Sequence, residues 1–188
     1  MFKSLRGHFL VASNHLKDSN FYRAVVLMLE HTEESAMGIV VNRPSSIAVD
    51  AAMTQLNQTP VSTEPIFAGG PVDTSALFIL HNCSEFGKDD EQITPGVFVT
   101  GSNDSFESLL SKDSTCNHDC HFRVYCGYAG WGPLQLDDEL NRGDWRTLPA
   151  EGTIVFEFDP YNIWERCTEQ LNQQNRLLPH NVENPEWN

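Results

Sequence analysis

Two apolar runs close together in the chain limit what it can fold into. Arg23 to Glu30 contains Ala24-Val25-Val26-Leu27-Met28-Leu29, the longest unbroken apolar stretch in the sequence. It is too short for a confident helix and rich in Val, so it reads as a strand buried on both faces. Gly38-Ile39-Val40-Val41-Asn42 is a second such run, ended by Pro44, because the residue before a proline is pushed to extended conformations. The polar residues His31 to Met37 between them suit a hairpin loop. A chain with a doubly buried hairpin near its start needs further layers to cover it.

Other segments supply them. Phe9 to Ala12, Ile66 to Ala68, Ala76 to His81, Val97 to Thr100, Phe122 to Cys126 and Thr153 to Phe158 read as strands. Helices are fewer. Ser46 caps a segment with apolar Ala48, Ala52, Met53 and Leu56. Asp104 with Glu107 starts Phe106 to Leu110. Leu134 to Asn141 stops at Gly143. Asp159-Pro160 opens a helix with Asp as N-cap and Pro at the first helical position, placing Ile163, Cys167 and Leu171 on one face beside Trp164. Strands and helices do not alternate, which argues for an α+β class with a mixed, mostly antiparallel sheet. With no linker and no internal repeat, we expect one domain over residues 1–178 and a mobile or loosely docked tail over 179–188.

Charge narrows the function. Twelve Lys and Arg stand against 26 Asp and Glu, a formal charge of −14. Phosphate backbones and anionic membrane surfaces repel such a chain, so direct nucleic-acid binding is not expected. No apolar run approaches the roughly 20 residues of a membrane-spanning helix, and Met1 to Leu10 is not a secretory leader. The chain thus reads as cytoplasmic, and its five cysteines as reduced thiols.

Common chemical signatures are missing: no phosphate-cradling Gly-Lys-Ser/Thr loop, no dinucleotide fingerprint, no nucleophile elbow, no His-Glu-x-x-His. Cys116, His118, Cys120 and His121 crowd four metal-capable side chains into six residues, too tight for tetrahedral zinc, so no metal and no cofactor are assigned. His31 and His81 end strands, where they serve as hydrogen-bonded structural residues or as general bases. Asn42-Arg43-Pro44 is a turn or an anion contact. Gly69-Gly70-Pro71 is a tight device or a ligand-facing loop. Gly127-Tyr128-Ala129-Gly130-Trp131-Gly132 is a structural turn or an aromatic binding wall. Asp137-Asp138-Glu139 reads as a solvated helix face.

In their order these pieces resemble the YqgE/AlgH family: Gly7-His8-Phe9-Leu10-Val11-Ala12, Val25 to His31, Gly38 to Pro44, Gly69-Gly70-Pro71-Val72, Leu80-His81, Gly127 to Trp131, and Gln135-Leu136 with Glu139-Leu140 and Trp145. The resemblance runs from about Gly7 to Leu171. It implies a compact α+β domain whose bifurcated mixed sheet folds into a pseudo-barrel with a few flanking helices. It also carries a label of transcriptional regulator and no enzyme activity to transfer. The expectation is a non-enzymatic binding or regulatory protein with a small-molecule or protein partner. Catalysis by a strand-end His, or regulation through a protein partner, is the alternative. The candidate binding residues are His31, Asn42, Arg43, Gly69, Gly70, Pro71, His81, Tyr128 and Trp131, set around one concavity.

Overall fold

The computed structural model describes residues 2–49, 65–83, 90–101 and 120–177. Its strands are β1 (His8–Ala12), β2 (Val25–His31), β3 (Ala36–Val40), β4 (Pro44–Ala48), β5 (Pro65–Ala68), β6 (Val72–His81), β7 (Glu91–Thr94), β8 (Val97–Thr100), β9 (Phe122–Trp131) and β10 (Trp145–Pro149). The helices are α1 (Gln135–Asn141), α2 (Gly152–Phe156) and α3 (Ile163–Leu177), the last preceded by a 3₁₀ turn over Pro160–Asn162.

The hairpin forms where expected. β2 pairs antiparallel with β3, Val26 opposite Val40 and Leu27 opposite Ile39. Alternation along β1 and β2 explains why both faces are apolar. Phe9, Val11, Val25, Leu27 and Ile39 face one core, closed by Ile163, Trp164, Cys167 and Leu171 of α3. Leu10, Ala12, Val26 and Met28 face a second core, closed by Leu136 of α1 with Trp131 and Trp145.

The sheet runs β10-β1-β2-β3-β9-β6-β8-β7, with β4 and β5 branching from it. All pairs are antiparallel except β5 with β9, where Phe67 stands opposite Tyr125 and Ala68 opposite Cys126. The branch lies on β9. Its first half pairs with β5, its last residues, Ala129 to Trp131, pair with β3, and β6 follows it on the other side. The mixed, bifurcated, curled sheet is therefore the expected one. It closes over half a barrel, with the helices on its flanks.

Four local expectations change. The Gly127 segment is no turn: β9 runs through it to Trp131, bending at Gly127, whose φ is +71°. Thr153–Phe158 is not a strand but carries α2. Ile154 and Val155 are adjacent and both buried in the same core; a strand would send one of them to the opposite face. Ser46 lies inside β4 rather than capping a helix, and the rest of that helix, like the one expected over 106–110, falls outside the described residues. Cys83 and Cys120 form a disulfide with their Cα atoms 5.4 Å apart, so at least two of the five cysteines are not free thiols. The tail over 179–188 also lies outside the described residues. The Asp159-Pro160 start holds: Asp159 Oδ1 accepts from the Tyr161 N–H at 3.0 Å. So does the Gly143 stop, at φ +77°. No helix among the described residues is long and apolar enough to cross a membrane.

Candidate functional site

The backbone entering β2 is strained. Arg23 adopts φ +53°, a left-handed conformation that costs a non-glycine residue roughly 1–2 kcal/mol. Asn42, at the end of the neighbouring strand, holds it there. Its Nδ2–H donates to the Arg23 carbonyl at 2.9 Å, while its Oδ1 accepts from the Val25 N–H at 2.9 Å. The amide is buried, so it acts as a pin between two strands.

That backbone turn aims the Arg23 side chain at α3. The guanidinium lies 4.9 Å from the Trp164 ring centroid and 5.6 Å from that of Tyr22, within cation–π range. Its Nη1 donates to Glu165 Oε1 at 3.1 Å. Trp164 is itself fixed by donating from Nε1 to the Ala12 carbonyl at 2.8 Å. Arg43 donates from Nη2 to the Tyr22 carbonyl. Together these groups line a cleft of about 310 Å³, closed by Pro44 and by Tyr161 at the helix start. Tyr161 is 74% exposed and Tyr22 54%. Two guanidinium groups, one carboxylate and three aromatic rings thus meet at one place.

Of the nine residues singled out in the sequence, Asn42 and Arg43 line this cleft. Gly69, Gly70 and Tyr128 meet through their backbones. Gly69 N–H donates to the Cys126 carbonyl at 2.7 Å and the Gly69 carbonyl accepts from Val40 N–H at 2.8 Å. A Cβ on Gly70 would stand 2.1 Å from the Tyr128 carbonyl carbon. Pro71 follows directly into β6. These residues let the chain cross β9 where the sheet splits. The Tyr128 ring packs edge-on to Phe78. His31 and Trp131 both turn to α1: His31 Nε2 is 3.8 Å from Asp137 Oδ2, and Trp131 Nε1 donates to Glu139 Oε2 at 2.9 Å.

The two histidines are engaged. His31 Nδ1 accepts from the Leu5 N–H at 3.1 Å, which leaves the proton of a neutral ring on Nε2. His81 is wholly buried, with Nε2 3.0 Å from Asp90 Oδ2 and its ring stacked on Phe98. Burial lowers its pKa below 6.5, with Asp90 pulling the other way. Burial also pushes the Cys126 thiol up and that of Cys167 to about 12, so neither is an activated nucleophile. A second cleft of about 530 Å³ has apolar walls of Leu29, Met37, Phe78 and Val99 and a rim where Arg6 binds Glu91 at 2.6 Å. Neither cleft is lined by His or Cys. Among the described residues no three His, Cys, Asp or Glu side chains group to hold a metal; Cys116 and His118 lie outside them.

Tyr22, Arg23, Tyr161, Trp164 and Glu165 were not among the candidate binding residues read from the sequence. A non-glycine left-handed residue leaves no mark in sequence. The Asp159-Pro160 cap, however, locates the helix start, and with it the aromatic pair Tyr161 and Trp164.

Residues 9–176 match the family model described as AlgH-like. A UPF0301 protein of Shewanella loihica is 35% identical over 173 residues, covering 89% of this chain and 91% of that one. A UPF0301 protein of Idiomarina loihiensis is 32% identical, with 89% and 91% covered. The solution structure of the AlgH protein from Pseudomonas aeruginosa superposes with a TM-score of 0.74 at 28% identity, covering 96% of this chain and all of that one. A crystal structure from Corynebacterium diphtheriae at 20% identity, TM-score 0.69, covering 90% of this chain and 88% of its own, shares the fold.

Proposed function

The chain belongs to the AlgH-like family, and from that premise we propose that it is a binding or regulatory protein that holds a small molecule in the Arg23–Arg43 cleft and catalyses no reaction on it. One observation carries this reading: two arginines and three aromatic rings converge on one cleft in a chain of net charge −14. Guanidinium groups bind carboxylate or phosphate in a planar fork, and aromatic walls bury the flat body attached to it. The lining includes no imidazole or thiol to move a proton or attack a bond, which favours holding a ligand over transforming it. Strain at Arg23 also fits a binding site, since such conformations persist where surrounding structure enforces them.

A regulator of this charge would act through a protein partner rather than on duplex DNA. Titration with a planar monoanion such as indole-3-propionate, followed by NMR, tests the reading. Saturable shifts at Tyr22, Arg43 and Tyr161, abolished in a folded Arg43→Ala variant, are expected. Shifts confined to other parts of the protein, or unchanged in that variant, would refute it.

A further inference from the structure

Six buried side-chain polar atoms lack a hydrogen-bond partner among the described residues, and two of them sit on residues that line this cleft: Arg43 Nε and Glu165 Oε2. One is a cationic donor and the other an anionic acceptor. Each costs free energy while it stays buried and unpaired. A ligand carrying only an acceptor would satisfy Arg43 and leave Glu165 without a donor. A ligand carrying only a donor would do the reverse. Whole-molecule charge adds a constraint. At −14 the chain repels polyanions over distances near the Debye length, and within the cleft Glu165 offsets one of the two arginines. A ligand of low net charge suits that balance better than a nucleoside polyphosphate.

Resting on the reading above, we infer that the cleft takes an aromatic zwitterion of the α-amino-acid type. The carboxylate accepts from the Arg43 guanidinium, the ammonium donates to the half-exposed Glu165 carboxylate, and the ring lies among Tyr22, Tyr161 and Trp164. Arg23 keeps its place over Trp164 as a cationic platform and holds Glu165 in position through Oε1.

The test is calorimetric titration of the full chain with tryptophan, tyrosine and phenylalanine. Tryptamine, which lacks the carboxylate, indole-3-propionate, which lacks the ammonium, and guanosine monophosphate serve as comparisons. An aromatic amino acid should bind one-to-one and about tenfold or more tighter than any of the three comparison ligands, as expected for loss of one charged hydrogen bond. Arg43→Gln should erase the preference over tryptamine alone. Glu165→Gln should erase the preference over indole-3-propionate alone. Circular dichroism establishes that both variants fold. If indole-3-propionate or the nucleotide binds as tightly as the amino acids through Arg43, the zwitterion assignment is wrong and the cleft reading stands. If no ligand binds and Arg43→Gln changes nothing, both fall.

Discussion

Glu139 reaches back from α1 and accepts with a single oxygen, Oε2, from the indole N–H of Trp131 at 2.9 Å and of Trp145 at 2.8 Å. Its other oxygen accepts from Gln135 Nε2 at 3.0 Å. Both tryptophans are buried, so removing the carboxylate strands two donors at once. Glu139→Ala should therefore lower stability by about 2–4 kcal/mol in urea unfolding, since each orphaned donor costs roughly 1–3 kcal/mol. Glu139→Gln, which keeps a carbonyl in place, should cost less than half of that. Equal losses in the two variants would mean that the carbonyl cannot replace the carboxylate. His81 gives a pH dependence at the same scale. Its folded pKa lies below the 6.5 of the unfolded chain, so its neutral form is the one the fold favours. That contribution is complete above pH 6.5 and is lost as pH falls from there through the depressed folded value. The urea midpoint should drop between pH 7 and pH 5, and His81→Phe should flatten the drop. An unchanged slope in the variant would assign the acid sensitivity to other groups.

At the level of elements, the glycines of β9 separate conformational need from mere size. Gly127 has φ +71°, and a Cβ there would meet the Gly70 carbonyl oxygen at 2.7 Å. Gly130 has no positive φ, and its Cβ would meet the edge of the Tyr128 ring at 3.4 Å and Val72 Cγ2 at 3.8 Å, both ordinary contacts with side chains. Gly127→Ala should cost more than about 1–2 kcal/mol from backbone conformation alone, whereas Gly130→Ala should stay within about 0.5 kcal/mol of the parent, measured by urea unfolding. The reverse ranking would place the bend of β9 elsewhere. The contrast also marks how far the sequence was legible. The hairpin of β2 and β3 could be read because both faces are buried and apolar residues run without interruption. The α3 start could be read because Asp159 and Pro160 act locally. The β9 bend, the shift of Ile154 and Val155 into a helix, and the Arg23 turn depend on partners far along the chain, and no local pattern encodes them. The same holds for the cleft. Asn42-Arg43-Pro44 drew notice as a short motif, but its companions at 22–23 join it through the Asn42 and Arg43 hydrogen bonds between neighbouring strands, and those at 161–165 through the packing of α3 against β1.

For the whole molecule, covalent closure and charge set the remaining expectations. The Cys83–Cys120 bridge closes 37 residues of sequence, for which loop-closure entropy gives about 4 kcal/mol of stabilisation. Thiol titration of the denatured, unreduced protein should find at most three free thiols, and reduction should lower the urea midpoint. Five thiols would refute the bridge. The arginines among the described residues are largely committed to the chain itself. Arg6, Arg23 and Arg142 pair with carboxylates. Arg43 and Arg123 donate to backbone carbonyls, and Arg146 donates to Asn172. A protein that binds duplex DNA must instead offer several unpaired cations along one face, because each phosphate neutralised releases a counterion and the affinity grows with their number. With a net charge of −14, long-range repulsion opposes even the first encounter. No mobility shift with random duplex DNA is expected at about 150 mM salt with micromolar protein, where nonspecific DNA-binding proteins begin to associate. Lowering the salt should not rescue binding, since weaker screening strengthens repulsion between two polyanions as much as it strengthens attraction between opposite charges. A shift that grows as salt is lowered would require a basic face that the described arginines do not form, and would return direct DNA contact to consideration as the protein's mode of regulation.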